Sequence, residues 1–193
     1  EHAKARIAGK TKARKFIAYF QAYTNTYAPV PYLRRIFLEA IRHPDVVILS
    51  VATRPDCLGE GVLDLLSELT QYKPVWVELG LQTIHASSHR LIRSGFSRND
   101  FDRAVFHLHE RKIPVITHLI LGLPGETRDM MLDSVAYVGS LPVSGVKLQL
   151  LHILKGTDLA EYYQANPFPL MDPDSYADLI ADCLQILPPD IVI

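Results

Sequence analysis

Short apolar runs recur along the chain: Phe16 to Phe20 (FIAYF), Val46 to Val51 (VVILSV), Val75 to Thr83 (VWVELGLQT), Val115 to Leu121 (VITHLIL), Val146 to Leu151 (VKLQLL) and Ile191 to Ile193. Their starts are roughly 30 to 45 residues apart, and a strand with its crossover helix takes about 30 residues or more, so the spacing reads as a βα repeat. Between the runs, apolar residues fall three and four apart, as at Leu33, Ile36, Phe37, Ala40 and Ile41, which marks helices with one buried face. Helices are predicted over Tyr32 to Arg42, Glu60 to Tyr72, His85 to Gly95, Ser97 or Asn99 to about Lys112, Arg128 to Ser140, Asp158 to Gln164 and Ser175 to Leu187. Pro31 opens the first, and Gly95 stops the third.

Successive βα units wind a parallel sheet covered by helices. Six strands are fewer than the eight of a closed barrel, so the expected fold is α/β, a partial (β/α)6 TIM-type barrel, with a doubly wound sheet as the other possible winding. The last strand begins and stops at the terminus, which reads as a barrel truncated at both ends, one domain over residues 1–193. In either winding the strand bodies are apolar on both faces and the carboxyl ends carry the chemistry. Val75 to Thr83 shows this most clearly, turning from Val-Trp-Val to Glu78, Gly80, Gln82 and Thr83. A carboxylate inside a strand requires a partner, and Arg54 or Lys147 is the expected one for Glu78.

Composition narrows the classes. With 193 residues and 48% hydrophobic content the chain can build one ordinary core. Twenty Lys+Arg against 21 Asp+Glu leave a net charge of -1, so no global field favours nucleic acid or an anionic membrane. The concentrated basic stretch is Lys4 to Lys15, which is expected to be a solvated arm. The apolar runs are far shorter than the roughly 20 residues of a membrane span, and the amino end is charged rather than signal-like, so the expected location is cytoplasmic. Cys57 and Cys183 form neither a metal-ligand spacing nor a disulfide framework.

The strand ends supply candidate chemistry. Gln21 to Pro31 is a loop with Thr24, Asn25 and Thr26 beside tyrosines, and Gly122-Leu123-Pro124-Gly125-Glu126-Thr127 is a glycine turn feeding a helix amino end, suited to a carboxylate, phosphate or ribose. Lys147, His152 and Lys155 lie on or just past the fifth strand.

Three elements, TRPD at Thr53 to Asp56, VELGLQT at Val77 to Thr83 and HLILGLPGET at His118 to Thr127, resemble in order and spacing the radical S-adenosylmethionine (SAM) superfamily. They look like the radical SAM domain of the elongator catalytic subunit. Over nearly the whole chain, AYFQAYTNT, ATRPDCL, WVELGLQTIH and LHILKGT resemble an uncharacterised bacterial family usually labelled Fe-S oxidoreductase. The resemblance implies SAM held across the strand ends against a [4Fe-4S] cluster. One electron from the cluster would cleave SAM to methionine and a 5'-deoxyadenosyl radical that takes hydrogen from a substrate the sequence does not identify. It further implies a reductant such as flavodoxin or ferredoxin. The cofactor-binding residues it implies are Gln21, Tyr23, Thr24, Thr53, Arg54, Glu78, Gln82, Arg93, His118, Gly122, Leu123 and Pro124. Among these, Gln82 and His118 would meet the ribose, and Leu121 to Gly125 would border the adenine.

The resemblance also shows departures. The CxxxCxxC loop that ligates the cluster is missing, and it is expected upstream of Glu1, so this fragment is expected to be inactive without it. Ser94 stands where relatives carry the arginine that pairs with the SAM carboxylate, with Arg93 one residue early, and Ala52 stands at a position acidic in several relatives. Two other functions fit the residues alone. One is a barrel enzyme acting on a phosphorylated small molecule at the LPGET turn, with Lys147 or Lys155 as base or Schiff-base former. The other is a non-catalytic module whose basic arm holds RNA.

Overall fold

The computed structural model describes residues 12–193, so the predicted lead-in and most of the basic stretch Lys4 to Lys15 lie outside the described residues. Strands β1 (Phe16–Phe20), β2 (Val46–Thr53), β3 (Val75–Gln82), β4 (Val115–Leu121) and β5 (Gly145–Leu150) form one five-stranded sheet in the order β1-β2-β3-β4-β5. All the pairings are parallel. Helices α1 (Val30–Ile41), α2 (Glu60–Thr70), α3 (Ala86–Leu91), α4 (Arg98–Glu110) and α5 (Arg128–Gly139) fill the crossovers, and α6 (Asp158–Ala165) and α7 (Pro173–Ile186) follow β5. Each new strand joins beside the last with no reversal of direction across the sheet, which is barrel winding and not the doubly wound alternative.

The sheet curls into a half-barrel. Lys147 on β5 places its Nζ 5.8 Å from the centre of the Tyr19 ring on β1, although β2, β3 and β4 lie between those strands in the sheet. Curling gives the two faces different fates. On β3, Val75, Val77, Leu79 and Leu81 are buried, while Trp76, Glu78, Gly80 and Gln82 line the partly open concave side. β4 repeats the pattern with Val115, Thr117, Leu119 and Leu121 outward under the helices. The expectation that both strand faces are covered is therefore corrected: the helices seal the convex face, and the concave face is where a ligand can enter.

The core lies between the convex face and the helices, where Leu33, Phe37, Leu63, Leu66, Phe101, Leu108 and Val135 are buried with the outward strand residues. Full burial of each such side chain contributes about 1.5–3 kcal/mol relative to exposure. Local signals set the helix starts: Ser97 caps α4 through a capping box with Asp100, Thr127 caps α5 and Asp172 caps α7.

Two elements differ most in extent from the sequence reading. The helix predicted from His85 to Gly95 is the shorter α3, because the chain leaves helical geometry at Arg93 (φ 52) and Gly95 (φ 78). The sixth strand is present as one parallel bridge, Val192 to Gly145, with the Val146 N–H on the Val192 carbonyl at 2.8 Å.

Candidate functional site

The carboxyl ends of the strands enclose a cleft of about 480 Å³. Strand geometry builds it in layers. Tyr19, Ser50, Glu78, His118 and Lys147 lie on the concave face, with Ala52, Gly80, Ile120 and Gln149 two residues further along their strands, and the pairing register sets Glu78 beside Ala52 and His118 between Gly80 and Lys147. Gln21 and Tyr23 beyond β1 and Ile92, Ser94 and Phe96 beyond α3 complete the rim.

Glu78 anchors the lower level. Its Oε1 accepts from Ser50 Oγ at 2.6 Å, and its Oε2 accepts from Tyr19 Oη at 2.7 Å and from His118 Nε2 at 2.7 Å. Burial alone would raise its pKa, but hydrogen bonds from His118, Ser50 and Tyr19 outweigh that and lower it to about 2. The carboxylate is ionised, and its side chain is only 11% exposed. Burial, and then the bond to Glu78, push the Tyr19 phenol up. These partners correct the expected ones. Arg54 instead holds Asp56 through two parallel bonds of 2.9 and 2.7 Å, and Lys147 rests over Tyr19. Two hydroxyls and an imidazole suffice to hold the carboxylate without a cationic countercharge.

Gln82 marks the upper level. The register slips between Gly80 and Gln82, a bulge that re-aims the end of β3, and Gln82 itself has φ 69. A Cβ on Gly80 would lie 2.5 Å from Gln82 Nε2, so glycine here leaves the Gln82 side chain free to lie back over the strand. Gln82 Oε1 is buried and accepts no hydrogen bond from the described residues. A buried acceptor without a donor costs free energy that a hydrogen bond from a ligand would recover.

The Gln21 to Ala28 loop is held firmly on β2. Asn25 Nδ2 donates to the Phe20 and Ala52 carbonyls, both at 2.9 Å, and Thr26 Oγ1 meets Thr53 Oγ1 at 2.5 Å and the Cys57 carbonyl at 2.7 Å. Tyr23 stands at the cleft mouth with φ 64 and its side chain 98% exposed.

Of the residues singled out from the sequence, the cleft gathers Gln21, Tyr23, Thr53, Arg54, Glu78, Gln82 and His118. Thr24, Arg93, Gly122, Leu123 and Pro124 do not line it. Thr24 gives its carbonyl to Tyr27 in a turn, and Arg93, 78% exposed, pairs with Asp158 at 3.0 Å. Gly122 has φ 88 with its N–H on Met131 Sδ at 3.0 Å, and Leu123 is buried. The apolar runs conceal Tyr19, Ile120 and Gln149, which counting by twos from Gln21, His118 and Lys147 finds. Phe96 comes from a turn that no periodicity announces.

The cleft fits SAM as a ligand. Its volume lies in the small-molecule range of about 300–1,000 Å³, and Gln82 Oε1 offers an acceptor needing a donor such as a ribose hydroxyl. The described residues do not fit an iron-sulfur cluster. Cys57 is half-buried at the end of the Pro55–Cys57 turn, while Cys183 is buried in α7 with its thiol pushed by burial up to about 11. No group of three or more His, Cys, Asp or Glu among the described residues can hold a metal. No helix among them is long and apolar enough to cross a membrane.

Residues 2–138 match the family described as the Radical SAM superfamily, and residues 143–193 match the Radical_SAM C-terminal domain. The chain is 44% identical to the uncharacterised protein YtqA of Bacillus subtilis over 98% of its own length and 59% of that protein. It is 37% identical to Escherichia coli YhcC over 94% of its own length, again 59% of the relative. The archaeal Elp3 of Methanocaldococcus infernus superposes with a TM-score of 0.82 at 20% identity, covering all of this chain and 50% of that one. The chain thus spans little more than half the length of the relatives it matches.

Proposed function

The chain belongs to the radical SAM superfamily, and from that premise we propose that it is the core of an enzyme that binds SAM in the strand-end cleft and cleaves it reductively. The observation that carries this reading is Gln82. Its Oε1 is the buried, unpartnered side-chain acceptor among the described cleft residues, set at a bulge on the central strand. Gln82 would accept from the ribose. His118, whose Nε2–H is committed to Glu78, would offer Nδ1 as a second acceptor. Arg54, fixed by Asp56, would bring positive charge to the rim for the methionyl end, with Gln21 and Tyr23 closing the mouth. Glu78 holds His118 and Tyr19 still and, being ionised and saturated with donors, moves no proton.

Bound SAM supplies the carbon-sulfur bond that is broken, and the protein supplies orientation and exclusion of water. The thiolates for a [4Fe-4S] cluster would come from parts of the full-length protein beyond these residues, and the electron from a small donor such as flavodoxin or ferredoxin in the cytoplasm. The substrate is a further small molecule or group admitted through the concave opening. The phosphate reading finds less support, because the LPGET turn spends its Gly122 N–H on Met131 and buries Leu123.

The test is anaerobic iron-sulfur reconstitution of the full-length protein, addition of SAM and a strong reductant, and quantification of 5'-deoxyadenosine. Formation of 5'-deoxyadenosine supports the reading. A protein with an assembled cluster that forms none contradicts it.

A further inference from the structure

The wall of the cleft beyond α3 carries an arrangement the SAM reading does not use. Ser94 lines the cleft, and its Oγ lies 2.6 Å from His89 Nδ1, while His89 Nε2 lies 2.7 Å from the Thr83 carbonyl. A carbonyl only accepts, so Nε2 carries the ring proton. The neutral ring then has its lone pair on Nδ1, and the Ser94 hydroxyl donates to it. The carbonyl that sets this tautomer is itself fixed: Thr83 is fully buried, its Oγ1 donates to Glu126 at 2.6 Å, and that oxygen accepts from the His85 N–H at 3.1 Å. Phe96 packs edge-on against the His89 ring, with centroids 5.6 Å apart. Arg93 (φ 52) and Gly95 (φ 78) flank the serine in left-handed geometry, so it is presented on a tight turn.

A hydroxyl bonded to a base that a third group orients is the arrangement of an activated nucleophile. We propose that Ser94 and His89 form a base-activated nucleophile on the cleft wall whose substrates are activated acyl esters. Ser94 Oγ attacks the carbonyl carbon as its proton moves to His89 Nδ1. The carbonyl–leaving-group bond then breaks, and His89 returns the proton to the departing thiolate or alkoxide. Water, deprotonated by the same nitrogen, cleaves the acyl-serine to a carboxylic acid and restores the hydroxyl. No electron is exchanged and no co-reactant beyond water is required. The activity goes beyond the SAM reading and does not depend on it.

The experiment treats the full-length protein with a fluorophosphonate probe, maps the modified peptide by mass spectrometry, and follows p-nitrophenyl acetate hydrolysis in parallel. Ser94 is expected to be labelled, with both signals lost in Ser94→Ala. In His89→Gln the amide retains an N–H for the Thr83 carbonyl but is no base, so labelling should slow by about 100-fold or more, the usual contribution of a general base. Unchanged melting temperatures would show that both variants are folded. An unlabelled Ser94 in the wild type, or labelling of His89→Gln at the wild-type rate, would overturn the proposal and reduce these bonds to a clasp between α3 and β3. Excess SAM separates the two readings: protection of Ser94 supports both the dyad and SAM in the same cleft. Labelling that SAM leaves untouched supports the dyad and counts against SAM binding there.

Discussion

Replacing Glu78 with glutamine tests whether the floor of the half-barrel is organised around a buried anion. The carboxylate accepts from Tyr19, Ser50 and His118, and an amide would turn one of its two acceptor atoms into a donor facing donors. Its pKa falls from 4.5 to about 2 in the folded protein. At about 1.4 kcal/mol per pH unit, this is worth about 3 kcal/mol of stability at neutral pH. The sign follows from the direction. A depressed carboxylate contributes fully above its unfolded pKa, and the contribution is lost as pH falls from about 4.5 towards 2. Chemical denaturation of the wild type and Glu78→Gln should therefore differ by about 3 kcal/mol at pH 7, and the gap should shrink by more than half by about pH 3. A variant as stable as the wild type at pH 7, or a gap that ignores pH across that window, would refute the reasoning.

Further substitutions probe neighbouring features. Gln82→Gly relieves a left-handed residue and removes an orphaned buried acceptor, so it should raise thermal stability by about 1 kcal/mol while weakening SAM affinity in anaerobic calorimetry at least about tenfold. Gly80→Ala places a Cβ 2.5 Å from Gln82 Nε2 and should lower SAM affinity by displacing that side chain, with little change in circular dichroism. Gly95→Ala meets Arg54 Nη2 at 2.9 Å and demands φ 78 of an alanine, so it should lower stability by about 1–2 kcal/mol in denaturant titrations. Leu79→Ala opens a void at a fully buried position on the convex face and should cost about 2–5 kcal/mol by the same assay.

Much of the architecture is legible in the chain because each strand announces itself twice, by an apolar run and by its distance from the next. The alternation Val75, Val77, Leu79, Leu81 against Trp76, Glu78, Gly80, Gln82 even records which side faces the helices, although a run read as simply apolar conceals it. What sequence spacing cannot supply is curvature. Only when β1 and β5 approach across the concavity do Tyr19 and Lys147 meet and does Tyr19 reach Glu78, whereas the Ser50 hydroxyl and the His118 imidazole stand on the strands next to it. Arg54 needs no curvature, since its acid, Asp56, lies two residues away in its own turn. The left-handed geometry of Gln82 is something no local propensity encodes, and α3 ends four residues before the Gly95 that marks its stop in the sequence.

On the proposed reading, SAM lies across the carboxyl ends of β3 and β4. A crystal structure of the full-length protein, reconstituted anaerobically and soaked with SAM, tests it most directly. Ribose density is expected within hydrogen-bonding distance of Gln82 Oε1, with the methionyl end towards Gln21 and Arg54. SAM bound elsewhere, with Gln82 still unpartnered, would contradict it.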